Sequence, residues 1–138
     1  HWANENAGWN FQWDWTENCQ FTKYDIGQYY GWHTDSLSTP NDTDDPNQRG
    51  KIRKLSMTIS LNDGTEYDGG QLEFDFKNTS PSDEWTDEKT YDSKVICNQI
   101  YKKGSIVVFP SFIWHRVTPV TRGTRYSLVA WNWGWPFQ

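Results

Sequence analysis

No segment of this chain carries the i, i+3, i+4 apolar spacing of a long amphipathic helix, whereas short runs of alternating or β-branched and aromatic residues recur from end to end. That pattern commits the chain to a mostly β domain. The predicted strands are Phe21 to Tyr24, Gln28 to Thr34, Ile52 to Leu61, Gln71 to Phe76, Val95 to Asn98, Ser105 to Phe109, Trp114 to Thr118 and Arg125 to Trp133. Parallel strands need crossover helices, so this many short strands without helices suit an antiparallel sandwich or jelly roll. At 138 residues the chain has room for one domain, residues 1–138, with residues 1–20 expected to pack on its core as an N-terminal extension.

Breakers divide the runs. Residues 36–50, SLSTPNDTDDPNQRG, hold no apolar side chain after Leu37 and read as a long exposed loop, a length usual for functional lids. Asn62-Asp63-Gly64 and Tyr67-Asp68-Gly69-Gly70 read as turns, and Thr121-Arg122-Gly123 as a tight reversal between the last two strands. Asn78 to Lys89 is polar and acidic, with room for one helical turn. A formal net charge of −5 and the lack of any basic run argue against broad capture of nucleic acid. No stretch is apolar enough to span a membrane, and the first residues lack the charged and apolar regions of a signal peptide. Cys19 and Cys97 are too few for a disulfide scaffold and are expected to be reduced thiols in a cytoplasmic protein. The triplets Asn41-Asp42-Thr43 and Asn78-Thr79-Ser80 imply surface loops only.

His33-Thr34-Asp35 sets an imidazole and a carboxylate two residues apart, on the same side of an extended strand. A third metal ligand is needed, and His115 is the strongest candidate, since the remaining histidine is His1. Two His and one carboxylate compose the facial triad of non-haem Fe(II) oxygenases, which leaves coordination positions open. By itself the His-x-Asp pair equally suits a polar strand end in water. Arg125 follows His115 by ten residues across a turn, so the two are expected on adjacent antiparallel strands facing one cavity. Its guanidinium either binds a ligand carboxylate or pairs with a structural Asp or Glu. Ser127 and Trp131 share its face of the strand, the first a candidate second donor and the second a wall. Tyr24, on the strand preceding His33, could hydrogen-bond a bound acid. Of Tyr29 and Tyr30, which point opposite ways, one is expected to line the cavity. The sequence holds ten Trp; Trp9, Trp13, Trp15, Trp133 and Trp135 are assigned to packing of the chain ends.

The run Tyr24 to Asp35 (YDIGQYYGWHTD), Arg53-Lys54-Leu55-Ser56, Leu61-Asn62, Tyr67 to Leu72 (YDGGQL), Gly104 to Ser111 (GSIVVFPS) and His115 to Arg125 (HRVTPVTRGTR) resemble the iron and 2-oxoglutarate dependent dioxygenases of the prolyl 4-hydroxylase superfamily. The last segment is most similar to PKHD-type hydroxylases of bacteria and phages. The similarity covers Tyr24 to Trp133. It implies a double-stranded β-helix, a cupin-like jelly roll, here with little helical support. It also implies that His33, Asp35 and His115 bind Fe(II) and that Arg125 holds the distal carboxylate of 2-oxoglutarate, helped by Tyr24 and Ser127. Asp35 argues against the related halogenases, which lack the metal-ligand carboxylate.

The activity so implied is hydroxylation of a prolyl residue in a protein or peptide, as a prolyl 4-hydroxylase. Fe(II), 2-oxoglutarate and O2 are consumed or used, succinate and CO2 are released, and ascorbate serves as reductant. Residues 36–50 resemble in position the mobile loop that covers peptide substrates. The expected partner is a proline-containing polypeptide, with no stable nucleic acid and no membrane, and the expected state is a monomer in the cytoplasm of a bacterium or phage-infected cell. The alternatives are hydroxylation of a free amino acid or small metabolite, and a non-catalytic metal-binding jelly-roll module.

Overall fold

The computed structural model describes residues 1–36, 39–76 and 94–137. Among these, the chain is mostly antiparallel β-sheet, with one helix of five residues, α1 (Trp2–Asn6), and two 3₁₀ turns, Gly64–Glu66 and Asn98–Tyr101. The strands are β1 (Trp15–Thr16), β2 (Gln20–Tyr24), β3 (Tyr30–His33), β4 (Ile52–Ser60), β5 (Tyr67–Gly69), β6 (Leu72–Asp75), β7 (Lys94–Ile96), β8 (Ile106–Pro110), β9 (Trp114–Val117), β10 (Val120–Gly123) and β11 (Arg125–Gly134).

A five-stranded sheet runs β1-β11-β4-β8, with β2 also on β11, and a four-stranded sheet runs β3-β9-β6-β7. β11 is the centre of the larger sheet. It pairs along most of its length with β4, and its other edge is shared by β2, opposite Arg125 to Val129, and β1, opposite Trp133 and Asn132. Both edges of β11 are thus hydrogen-bonded, and its side chains are buried or half-buried on both faces, in keeping with the nearly nonpolar reading of Arg125 to Trp133. The core joins the two sheets: Leu72, Phe74 and Val117 from the smaller one meet Phe109 from the larger, with Cys97 and the fully buried Ile100. Burying a side chain such as Ile100 contributes about 2 kcal/mol.

Each predicted strand has an observed counterpart, and three strands were not anticipated. Tyr67 to Gly70, expected as a turn, instead begins with β5, which pairs with β10. The glycines there serve close approach. A Cβ on Gly69 would stand 2.1 Å from the Pro119 carbonyl oxygen and one on Gly123 would stand 2.1 Å from that of Glu66, and both residues have φ near +70° (+70° and +71°). Thr121 to Gly123 is therefore strand, not a reversal joining the last two strands. The third addition, β1, belongs to the N-terminal segment. That segment follows the end of β11, with Asp14 and Glu17 donating backbone hydrogen bonds to Trp133 and Trp131, and it is closed on itself where the Asn4 side chain bonds both backbone groups of Phe11.

The base of the 36–50 loop is closed by Asn41, whose N–H donates to Lys51 and whose carbonyl accepts from Gly50, and the Asn41 amide donates to Gln48. Leu37 and Ser38 lie outside the described residues, as do the whole of Asn78 to Lys89 and its Asn-Thr-Ser triplet. Both cysteines are free thiols, Cys19 exposed and Cys97 in the core. No helix among the described residues is long and apolar enough to cross a membrane.

Candidate metal centre

A cavity of about 510 Å³ opens between the two sheets. At its inner end β3 and β9 pair with His33 opposite His115, so antiparallel register alone sets the two imidazoles on one face. Their ring centres are 4.1 Å apart. β3 ends at His33, and Asp35 lies in the bend beyond it, its N–H donating to the Ser111 carbonyl. Asp35 Oδ1 stands 3.4 Å from His33 Nε2 and 3.5 Å from His115 Nε2, and one ligand atom from each residue lies within 4.8 Å of the others.

The rest of each side chain is committed elsewhere. His33 Nδ1 is 2.7 Å from the Gly31 carbonyl oxygen and His115 Nδ1 is 2.9 Å from that of Ile113. A carbonyl only accepts, so each Nδ1 carries a proton, and in its neutral form each ring turns the lone pair of Nε2 to the centre. Asp35 Oδ2 accepts from Ser56 Oγ at 2.6 Å. Burial raises the Asp35 carboxyl, but where the imidazoles carry their Nε2 protons, hydrogen bonds from His115 and His33, the charge of His115 and the hydrogen bond from Ser56 outweigh it and hold the group well below the usual carboxylate range. With both imidazoles neutral and Asp35 ionised, three acceptor atoms converge with no hydrogen among them, and a proton on an Nε2 or a divalent cation between them resolves the conflict. Two imidazoles and one carboxylate oxygen suit Fe(II).

β11 supplies the opposite wall. Arg125, Ser127, Val129 and Trp131 all line the cavity, as alternation requires. Arg125 is 3% exposed and forms no ion pair with any described acidic side chain. An unpaired buried guanidinium is costly, so one that faces a cavity favours an anionic guest there. The expectation that Arg125 and His115 sit on adjacent strands is corrected: β10 intervenes and pairs with β5, so they belong to different sheets and face each other across the cavity. Tyr24 ends the strand before β3, as expected. It is opposite Arg125 on β2, its ring centre 5.5 Å from the guanidinium carbon. Burial raises the Tyr24 phenol while Arg125 lowers it, the net being upward, so the hydroxyl stays a donor. Tyr30 lines the cavity and stacks on His33 at 3.8 Å, whereas Tyr29 does not.

The outer end holds residues whose part the sequence did not reveal. Arg53 lies over the Trp131 ring at 3.8 Å and donates to both Glu17 oxygens at 2.7 and 3.1 Å, and Glu17 also accepts from Trp133 Nε1. Trp133, assigned to chain-end packing, therefore also walls the cavity. Thirty-six positions separate Glu17 from Arg53, and nothing in either local pattern links them. Ser56 and Ser111 were also missed. Ser56 shares β4 with Thr58 and Ser60, so nothing in the local pattern singled it out.

The profile of the 2OG-Fe(II) oxygenase superfamily matches residues 19–133, and the chain belongs to that superfamily. It is 34% identical over 113 residues to a PKHD-type hydroxylase of Thermosynechococcus vestitus, covering 80% of this chain and 40% of the relative. It is 32% identical over 112 residues to a PKHD-type hydroxylase of Teredinibacter turnerae, covering 81% and 41%. The chain thus spans well under half the length of these curated relatives. Among solved structures, a Pseudomonas putida prolyl-4-hydroxylase superposes with a TM-score of 0.59 at 28% identity, covering 92% of this chain and 57% of that one. A viral collagen prolyl hydroxylase from Paramecium Bursaria Chlorella virus-1 shares the fold, with a TM-score of 0.60 at 21% identity, covering 98% and 68%.

Proposed function

We propose that this chain is the catalytic domain of a peptidyl-prolyl hydroxylase that uses Fe(II), 2-oxoglutarate and O2, and that its two facing sheets are the halves of a double-stranded β-helix. The observation that carries the reading is the pairing of two features across one cavity: three convergent lone-pair donors on one wall and, on the other, a buried Arg125 with no carboxylate partner among the described residues. His33, Asp35 and His115 would hold the metal. Arg125 would take the far carboxylate of 2-oxoglutarate bidentately, with Tyr24 and Ser127 as further donors and Trp131 as a wall.

Bound iron with 2-oxoglutarate supplies the oxidative decarboxylation to succinate and CO2 that is coupled to hydroxylation. The chain's own part is to bind and orient. Backbone carbonyls fix both imidazoles, Ser56 fixes the carboxylate, and Phe109, edge-on to His115 at 4.7 Å, keeps the inner end apolar. At the outer end Arg53 over the Trp131 ring makes a broad aromatic and cationic wall. Such a wall suits an extended, proline-containing segment, which is already ordered before binding. The 36–50 loop contributes Thr39, Asn41 and Gln48 to the same cavity, which supports a covering role over substrate. A single domain with residues 1–20 packed on it, acting as a monomer in the cytoplasm of a bacterium or phage-infected cell and kept reduced by ascorbate, completes the proposal.

The test is succinate release by anaerobically prepared protein given Fe(II), 2-oxoglutarate and O2, with and without proline-containing peptides read by mass. Succinate stimulated by peptide, with one oxygen atom added at proline, supports the reading. Succinate without a peptide product moves the assignment to a small metabolite, and no succinate from folded, iron-loaded protein favours a binding module.

A further inference from the structure

One of the three candidate metal ligands, Asp35, is held by a pair of hydroxyls on the other sheet. Ser56, on β4, and Ser111, just after β8, are both fully buried, and their hydroxyl oxygens lie 2.9 Å apart. Ser56 Oγ is also 2.6 Å from Asp35 Oδ2. The donor directions follow from counting hydrogens. An ionised carboxylate only accepts, so the single hydrogen of Ser56 goes to Asp35. Ser56 then has only a lone pair to offer Ser111, and Ser111 must be the donor between them. The result is a one-way chain, Ser111 to Ser56 to Asp35, ending on the carboxylate oxygen that does not face the imidazoles. The backbone reinforces it, because the Ser111 carbonyl accepts from the N–H of Asp35 at 2.9 Å and of Ser36 at 3.1 Å.

Resting on the metal-site reading above, we infer that Ser56 and Ser111 are positioning residues that make Asp35 a one-oxygen metal ligand. With a buried hydroxyl anchoring Oδ2 and Oδ1 turned to both imidazoles, the carboxylate is oriented to meet the cation through Oδ1, so the protein fills three positions and the rest remain for cosubstrate. Without that hydroxyl, a carboxylate in a bend beyond the end of β3 is free to rotate, present both oxygens or swing away. The clamp spans the two sheets, so it also ties the smaller sheet's metal ligand to the interior of the larger one. Neither serine touches the reacting groups, and both act through Asp35.

The experiment titrates the full chain anaerobically with Co(II), reading affinity and the visible absorption bands that report coordination number, alongside thermal unfolding of the metal-free protein. Ser56→Ala is expected to weaken metal binding by about 10- to 100-fold and to change the band pattern, because partners of metal ligands carry effects of that order. Ser111→Ala, which leaves Ser56 in place with a freer rotor, should shift both in the same direction by less. Ser56→Thr, which keeps the hydroxyl, should recover much of the loss. A merely structural role would lower the unfolding temperature of the metal-free protein and leave the cobalt bands of the folded variants unchanged. Wild-type affinity and bands in both alanine variants overturn the inference while leaving the metal site intact. Failure of the folded wild type to bind Co(II) overturns the metal-site reading itself, and this inference with it. If Ser56→Ala does not fold, Ser111→Ala decides alone.

Discussion

At the inner end of the cavity each polar side chain is held by a partner with its free valence turned inward, whereas at the outer end the polar side chains hold one another. His33 and His115 each give their Nδ1 hydrogen to a carbonyl, and Asp35 gives one oxygen to Ser56, so what remains faces a common point. Glu17, Arg53 and Trp133 instead satisfy each other and leave a guanidinium over the Trp131 ring. The first arrangement selects a small, geometrically demanding guest such as a metal ion. The second presents area, not a point, and suits a chain or ring that slides into place.

If that division is right, His115→Ala gives the largest effect. Metal affinity should fall by more than about 100-fold, beyond what loss of a ligand's partner causes, and succinate formation should vanish with it. Metal content after dialysis and succinate assay check this, and retention of stoichiometric iron would break the comparison. Arg125→Ala comes next. A buried charge pair left with one partner loses 2 kcal/mol or more, so half-saturation by 2-oxoglutarate should rise by about 30-fold or more, with Arg125→Lys in between because it offers a point charge instead of a fork. Metal affinity should not move. Arg53→Ala should raise the KM for peptide about tenfold, the worth of one charged hydrogen bond, and again leave metal affinity alone. A loss of metal in that variant would show that the two ends are not separate.

The smallest effect lies outside the cavity altogether. Arg122 donates to Asp68 on the exposed β5–β10 pair and holds that carboxyl below its ordinary range. The folded value is depressed, so the pair stabilises the fold above the ordinary carboxylate range and the contribution is lost as pH falls through the folded value. Arg122→Ala should return the Asp68 titration, followed by NMR, to its ordinary position without altering metal or peptide binding. A change at either end of the cavity would mean that the β5–β10 pair transmits to it.

Much of the fold was legible because alternation is local. The strand runs, their faces, and the shared side of Arg125, Ser127 and Trp131 all follow from period-two geometry in a single segment. Gly69 and Gly123 misled because a glycine that permits a turn and a glycine that permits another backbone to come within contact distance look the same in sequence. That one ambiguity hid β5 and β10, and with them the fact that His115 and Arg125 face each other from different sheets.

The sequence by itself determined the chemistry at hand: a His-x-Asp pair, a second histidine, an arginine ten residues later, and a mostly β chain to carry them. Tertiary structure decided what each could do. Only the packing of two sheets left Arg125 buried with no carboxylate partner among the described residues, brought Glu17 to Arg53, and set Ser56 and Ser111 behind Asp35. Those outcomes depend on which distant segments end up within hydrogen-bond reach, and that distance is fixed by sheet order and register, not by separation along the chain.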